Sequence, residues 1–260
     1  MGRERDKGME RQVALADESV SHNGRPYLFA ALLIGLAAWP QAASAYRPFD
    51  STDAAVADKG GWEFEFSPLS YEHGDEGVNL IAPSLRVNYG LVENWEVVVE
   101  GQVNNFIHGG SELSEAQLDA KTVLREGSLQ EKDGPSLGSE FSVLLPGVGT
   151  QDGAGFEWTG ILSQRWDWGT VHLNVAGILS RAQTAGMFGG LIVEGPESWP
   201  VRPVAELNYQ QDSSVEKSWS ALLGAIWKAD EHLAFDLAFR HARINTRPDE
   251  QVRAGVTFDL

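Results

Sequence analysis

From Trp62 onward apolar and polar residues alternate with a period of two, broken at intervals by Gly, Pro, Asn and Asp, and almost no 3.6-residue period is present. In the stretch 95–103, Trp95, Val97, Val99 and Val103 share one face, with Glu96, Glu100 and Gln102 on the other. Between 171 and 181, Val171, Leu173, Val175 and Leu179 oppose His172, Asn174 and Ser180. Trp219, Ala221, Leu223, Ala225 and Trp227 form the next such row, and Leu233, Phe235, Leu237 and Phe239 another. The pattern predicts twelve strands, at 62–72, 80–89, 95–104, 116–126, 136–146, 155–167, 170–181, 186–195, 200–211, 217–229, 232–243 and 250–260. Their lengths, about ten residues, suit a tilted strand that crosses a bilayer.

Alternation alone is equally compatible with a soluble barrel or sandwich whose oily rows face inward. Two features favour the inverse arrangement. Trp and Tyr concentrate at strand ends (Trp62, Tyr89, Trp95, Trp166, Trp168, Trp199, Tyr209, Trp219, Trp227), where a membrane barrel carries its interfacial girdles. The polar rows also hold charges of both signs in mid-strand, which can pair across a narrow polar lumen.

These charges are the candidate lumen lining. Arg86 comes from the second segment, Glu96 and Glu100 from the third, Lys121 and Arg125 from the fourth, and Glu140 from the fifth. Glu157 and Arg165 follow in the sixth, His172 in the seventh, Glu206 in the ninth, and Asp236 with Arg240 in the eleventh. Glu63, Glu65, Asp119, Lys228 and Arg253 share that parity. In hydrocarbon every backbone N–H and C=O must be bonded within the protein, so the sheet must close, last strand on first. An even strand number then brings both ends of the barrel to the periplasmic rim. Tight connectors such as "GLVEN" and "ADE" belong there, and longer ones such as "HGDEGVN", "FIHGGSELSEA" and "DSSVEK" belong to the outer rim. The long "GSLQEKDGP" is an exception to that rule.

Ahead of the strands, "YLFAALLIGLAAW" follows Arg25 and leads to Ala43-Ser44-Ala45, a small-x-small site. We expect residues 1–45 to be an N-terminal extension and signal peptide cut after Ala45, residues 46–61 a periplasmic segment, and 62–260 the barrel. The formal net charge of −17 disfavours nucleic acid as a partner. The absence of Cys removes disulfides, thiolate metal sites and thiol nucleophiles.

Candidate catalytic chemistry is thin. "GPSLG" (Gly134 to Gly138) matches the nucleophile-elbow spacing around Ser136, but an alternating stretch follows it where that motif needs a helix. His241 and Ser218 lie close in the expected pairing and are the basis for an outer-membrane lipid hydrolase, although their parities differ. The acidic "EHGDEG" lacks the spacing of a calcium loop, and His73, His108 and His172 are scattered. No metal, cofactor or enzymatic activity is expected.

The end of the chain, "RAGVTFDL", resembles the C-terminal sorting pattern of bacterial outer-membrane proteins, with polar Arg253, Gly255, aromatic Phe258 and final Leu260 as the assembly signal. The segments "GLVENWEVVVEGQ", "GPSLGSEFSVLLPG", "ILSQRWDWGTVHLNVAG", "WPVRPVAELN" and "SALLGAIWKADEHLAFDLAFRH" resemble the outer-membrane transporter family named after the meta-pathway of phenol degradation, over roughly residues 60–260. That resemblance implies a porin-like barrel in the outer membrane of a Gram-negative bacterium, passing small, aromatic or hydrophobic solutes. Its partners would be outer-membrane lipid, the barrel assembly machinery and a small-molecule solute. The alternatives are a soluble periplasmic barrel holding an apolar ligand, and the lipid hydrolase.

Overall fold

Twelve antiparallel strands close into a single barrel in the computed structural model, which describes residues 47–260 apart from 75, 76, 108, 148–152 and 214–215. The signal segment, His108 and the centre of the acidic "EHGDEG" stretch lie outside the described residues. The strands are β1 (Trp62–Gly74), β2 (Gly77–Val92), β3 (Trp95–Phe106), β4 (Ser111–Arg125), β5 (Ser136–Leu144) and β6 (Gly155–Trp166), then β7 (Gly169–Leu179), β8 (Ala185–Glu194), β9 (Val201–Asp212), β10 (Lys217–Lys228), β11 (Leu233–Ile244) and β12 (Arg247–Asp259). Each pairs with its neighbours in sequence, and β1 with β12 completes the ring. Phe64 stands opposite Phe258, their rings stacked at 5.1 Å. The seam ends where Trp62 and Leu260 exchange N–H···O bonds of 3.0 and 2.8 Å.

The loop expectations need correction. β1 and β2 stay paired as far as Gly74 opposite Gly77, and β3 and β4 as far as Asn105 opposite Ser111, so "HGDEGVN" and "FIHGGSELSEA" are mostly strand. Ladder bonds join backbone to backbone, and polar side chains on both faces do not interrupt them. The longest connections, 126–135 and 145–154, sit at opposite rims. The first contains a short 3-10 turn, Ser128–Gln130.

The side chains are arranged inside out. Leu223 is 68% exposed, Leu237 60% and Val175 60%, while Lys121 is 0% and Glu96 and Glu206 are 1%. A soluble ligand-binding barrel requires the reverse, because burying apolar area is what stabilises it in water. Trp62, Trp95, Trp166, Trp168, Trp199 and Trp227 are exposed near one rim, and Tyr71, Trp158, Tyr209 and Trp219 toward the other. Two aromatic girdles therefore bracket the apolar band.

The polarity of the outer face is testable at Leu223, midway along β10. Replacing it with Arg (Leu223→Arg) should cost about 2–4 kcal/mol in reversible urea unfolding from phospholipid, the penalty of a cation at the hydrocarbon midplane. On a water-facing surface the same change would be close to neutral.

Candidate functional site

The residues just ahead of β1 fill the lumen rather than lying beyond the strands, which corrects the periplasmic placement of 46–61 for all described residues up to Ala57. The run Arg47 to Ala57 makes no ladder of its own. Its peptide N–H groups go instead to inward side chains, as buried backbone must when no strand partner is present. Asp50 and Ser51 both donate to Glu206, each at 2.8 Å. Thr52 donates to Asn174 at 3.2 Å and its carbonyl accepts from the same side chain at 2.7 Å. Ala54 donates to Ser163 at 3.0 Å, and Ala57 to Glu96 at 2.7 Å. The segment leaves at the turn rim, where Gly60 and Gly61 bond to Gly90.

Charge fixes its other end. The Asp50 carboxylate accepts from Arg240 at 2.8 Å, Arg253 at 2.6 Å and Asn208 at 2.9 Å. Arg47 pairs with Asp236 at 3.3 Å, and Lys121 reaches both Thr52 and Asp53 at 3.3 Å. Phe49 packs on an inward apolar patch of Val204, Ile226 and Ala234. Side chains of β2, β3, β4, β6, β7, β9, β11 and β12 all touch this one segment. A Cβ at Gly255 would strike Arg47 and Asp236. A side chain on Gly90 would likewise collide with the backbone of Asp58.

The structure sorts the sequence-derived lining into two groups. Glu96, Lys121, His172, Glu206, Asp236 and Arg240 hold the inner segment directly or through one neighbour. Arg86, Glu100, Glu140 and Glu157 instead line a cavity of about 410 Å³ bounded on one side by residues Arg47 to Thr52. Arg125 is not in the lumen. Its guanidinium donates to the Asp133 and Pro135 carbonyls and braces the long 126–135 turn. Arg165 sits at the mouth beside that turn, bound to Glu131 at 3.1 Å and Glu197 at 2.8 Å.

His172 belongs to a buried chain. Glu194 accepts from Nε2 at 3.0 Å, leaving Nδ1 to accept the Ser163 hydroxyl proton at 2.8 Å, while Ser163 Oγ accepts from Ala54. Arg202 pairs with the other Glu194 oxygen at 2.8 Å. The Ser-His-Glu order is that of a hydrolase, yet Ser163 is fully buried beneath Ala54 and its oxygen already receives that N–H. It is an anchor. Ser136 is also fully buried, accepting from the Leu129 N–H at 3.0 Å and donating to Gln130 at 2.7 Å; a strand follows it. Ser218 and His241 lie on opposite faces of the sheet, so the lipid-hydrolase pair does not form; His241 packs edge-on against Trp219 at 6.0 Å.

No protein-family model and no curated protein matches the chain. Solved structures do match. The NanC porin aligns over 76% of this chain and 100% of its own, with a TM-score of 0.55 and 10% identity. The KdgM porin aligns over 75% and 98%, with a TM-score of 0.51 and 14% identity. KdgM has also been solved in complex with disordered oligogalacturonate, with a TM-score of 0.50 and 13% identity to this chain. The fold is that of an outer-membrane porin barrel. At these identities the likeness speaks for the architecture, and solute chemistry must come from this chain's own lining.

The chain's lack of Cys allows a single reporter of the inner segment. Ser51→Cys, at a buried hydroxyl, should react slowly with a water-soluble maleimide in detergent. Adding Asp50→Ala removes charge-assisted bonds worth about 1.5–3 kcal/mol each and should speed labelling at least about tenfold. Unchanged labelling would mean that Asp50 does not hold the segment.

Proposed function

We propose that this protein is an outer-membrane channel that passes small solutes passively, with the segment 47–57 as its internal constriction. The single observation that supports it most is the inverted barrel: an apolar belt outside, and inside a polar lumen that keeps a 410 Å³ cavity despite the inserted segment. Twelve strands lie between the eight of barrels filled by their own side chains and the sixteen of open porins. Passage through a lumen of that size therefore depends on what else occupies it. Here the occupant is held mainly by side-chain hydrogen bonds and ion pairs, with an apolar contact at Phe49, and its neutral bonds contribute only about 0.5–1.5 kcal/mol each net of exchange with water.

In this reading residues 1–45 serve export and are cut after Ala45, the barrel assembly machinery recognises Arg253, Gly255, Phe258 and Leu260, and the chain resides in the outer membrane of a Gram-negative bacterium. The resemblance to the phenol meta-pathway family implies aromatic or hydrophobic solutes. The lining, in which Phe49 and Phe188 are the aromatic residues, favours solutes that also carry polar groups.

Planar-bilayer recording of the chain 46–260 and of a chain starting at Asp58 tests the proposal. Both should conduct, the shorter one several-fold more. Absence of current from both, together with absence of arabinose uptake by proteoliposomes, would overturn the channel reading.

A further inference from the structure

The cavity walls are unevenly charged. Arg86 is shared among four carboxylates, Glu100 at 2.5 Å, Glu140 at 3.4 Å, Glu65 at 3.7 Å and Asp119 at 3.9 Å. One guanidinium neutralises one of them. The other arginines at the cavity are committed elsewhere, Arg47 to Asp236 and Arg253 to Asp50 and the Pro48 carbonyl. Glu157 accepts from the Thr159 hydroxyl at 3.0 Å and has no cationic partner among the described residues. It stands on β6 beside Glu140, whose register partner is Thr159 two positions along.

The same row continues into a different surface. Thr159 pairs with Ala176, and Ala176 with Phe188. Strand spacing of about 4.8 Å puts Phe188 roughly 10 Å from Thr159, with only a small side chain between them. An acidic end and an aromatic end thus face one enclosed space.

We infer that the cavity is a binding site for a small organic cation, with its ammonium or guanidinium group at Glu140 and Glu157 and its apolar body lying over Ala176 against Phe188. The assignment rests on the channel reading for its physiological role, although the site itself needs no current to be observed. Carboxylates in a concave, low-dielectric wall raise the local concentration of cations and repel anions. An ammonium ion there also gains the partner that Glu157 lacks. Oligogalacturonate, the polyanion named with KdgM, is the wrong charge for this wall.

Reversal potentials in a KCl gradient, for the chain 46–260 and the chain starting at Asp58, should show potassium favoured over chloride by about tenfold or more. Glu157→Gln, which breaks no ion pair, should lower that ratio, and adding Glu140→Gln should bring it toward unity. Isothermal titration of the detergent-solubilised chain should register benzylammonium and not benzoate. Phe188→Ala should weaken benzylammonium several-fold while leaving the potassium ratio unchanged. Chloride preference, a ratio near one, or equal heats from benzylammonium and benzoate would overturn the inference while leaving a channel. Selective benzylammonium binding without current would support it and remove the channel instead.

Discussion

The constraint on which the rest depends is that a peptide group cannot be left unbonded in hydrocarbon. A sheet meets it only by closing, so the pairing of β1 with β12 underlies every other feature. Closure makes one face of every strand a lipid face and the other a lumen face, and period two then assigns each residue to one of them. The outward rows need only be apolar, with aromatic ends. The inward rows carry all the chemistry, because every polar group placed there must find a partner within a narrow space.

The inner segment answers that demand. Glu206, Asn174, Ser163 and Glu96 are buried acceptors, and the segment supplies a peptide N–H to each in turn. Asp50 supplies an anion to Arg253 and joins Asp249 in pairing with Arg240. A non-repetitive backbone is well suited to this, since its N–H groups are free of any ladder and point in several directions. Wall and segment complete one another, which is why mid-strand charges of both signs coexist without the lumen being wide.

The barrel was legible in the sequence because its signal is periodic. Twelve alternating runs, the outward Trp219 to Trp227 and Leu233 to Phe239 rows, and the closure at Leu260 all follow from parity, and parity survives small errors of boundary. The loops are not legible in the same way, because ladder pairing is indifferent to side-chain polarity and polar composition between apolar runs does not mark where β1 and β2 part. The same parity points Arg125 into the lumen, and it fails after the register shift between Val123 and Arg125. The inner segment is not legible, because 47–57 has no period to read. Its trace in the sequence is indirect: the inward Gly90 marks a strand that another backbone approaches closely, and Gly255 leaves room for the Arg47 side chain.

The lumen is divided, and the division bears on how the segment could move. Toward β9–β11 the wall is apolar around Phe49, whose ring is held by Val204, Ile226 and Ala234. Toward β3–β7 the segment is held by neutral hydrogen bonds to Asn174 and Ser163, which water can replace at little net cost, and by charge-assisted contacts to Glu96 and Lys121. Withdrawing Phe49 would expose its ring and leave a gap against the patch, a loss with no compensating bond to water. Release therefore costs least along 52–57 and most at the 47–50 end, where Asp50 holds Arg240 and Arg253 beside Phe49. The other end is tied to β1 and to Gly90 through Gly60 and Gly61, so the least costly displacement is a bowing of 52–57 between two fixed ends, on the side of Glu96 and Lys121 where the inner wall is charged.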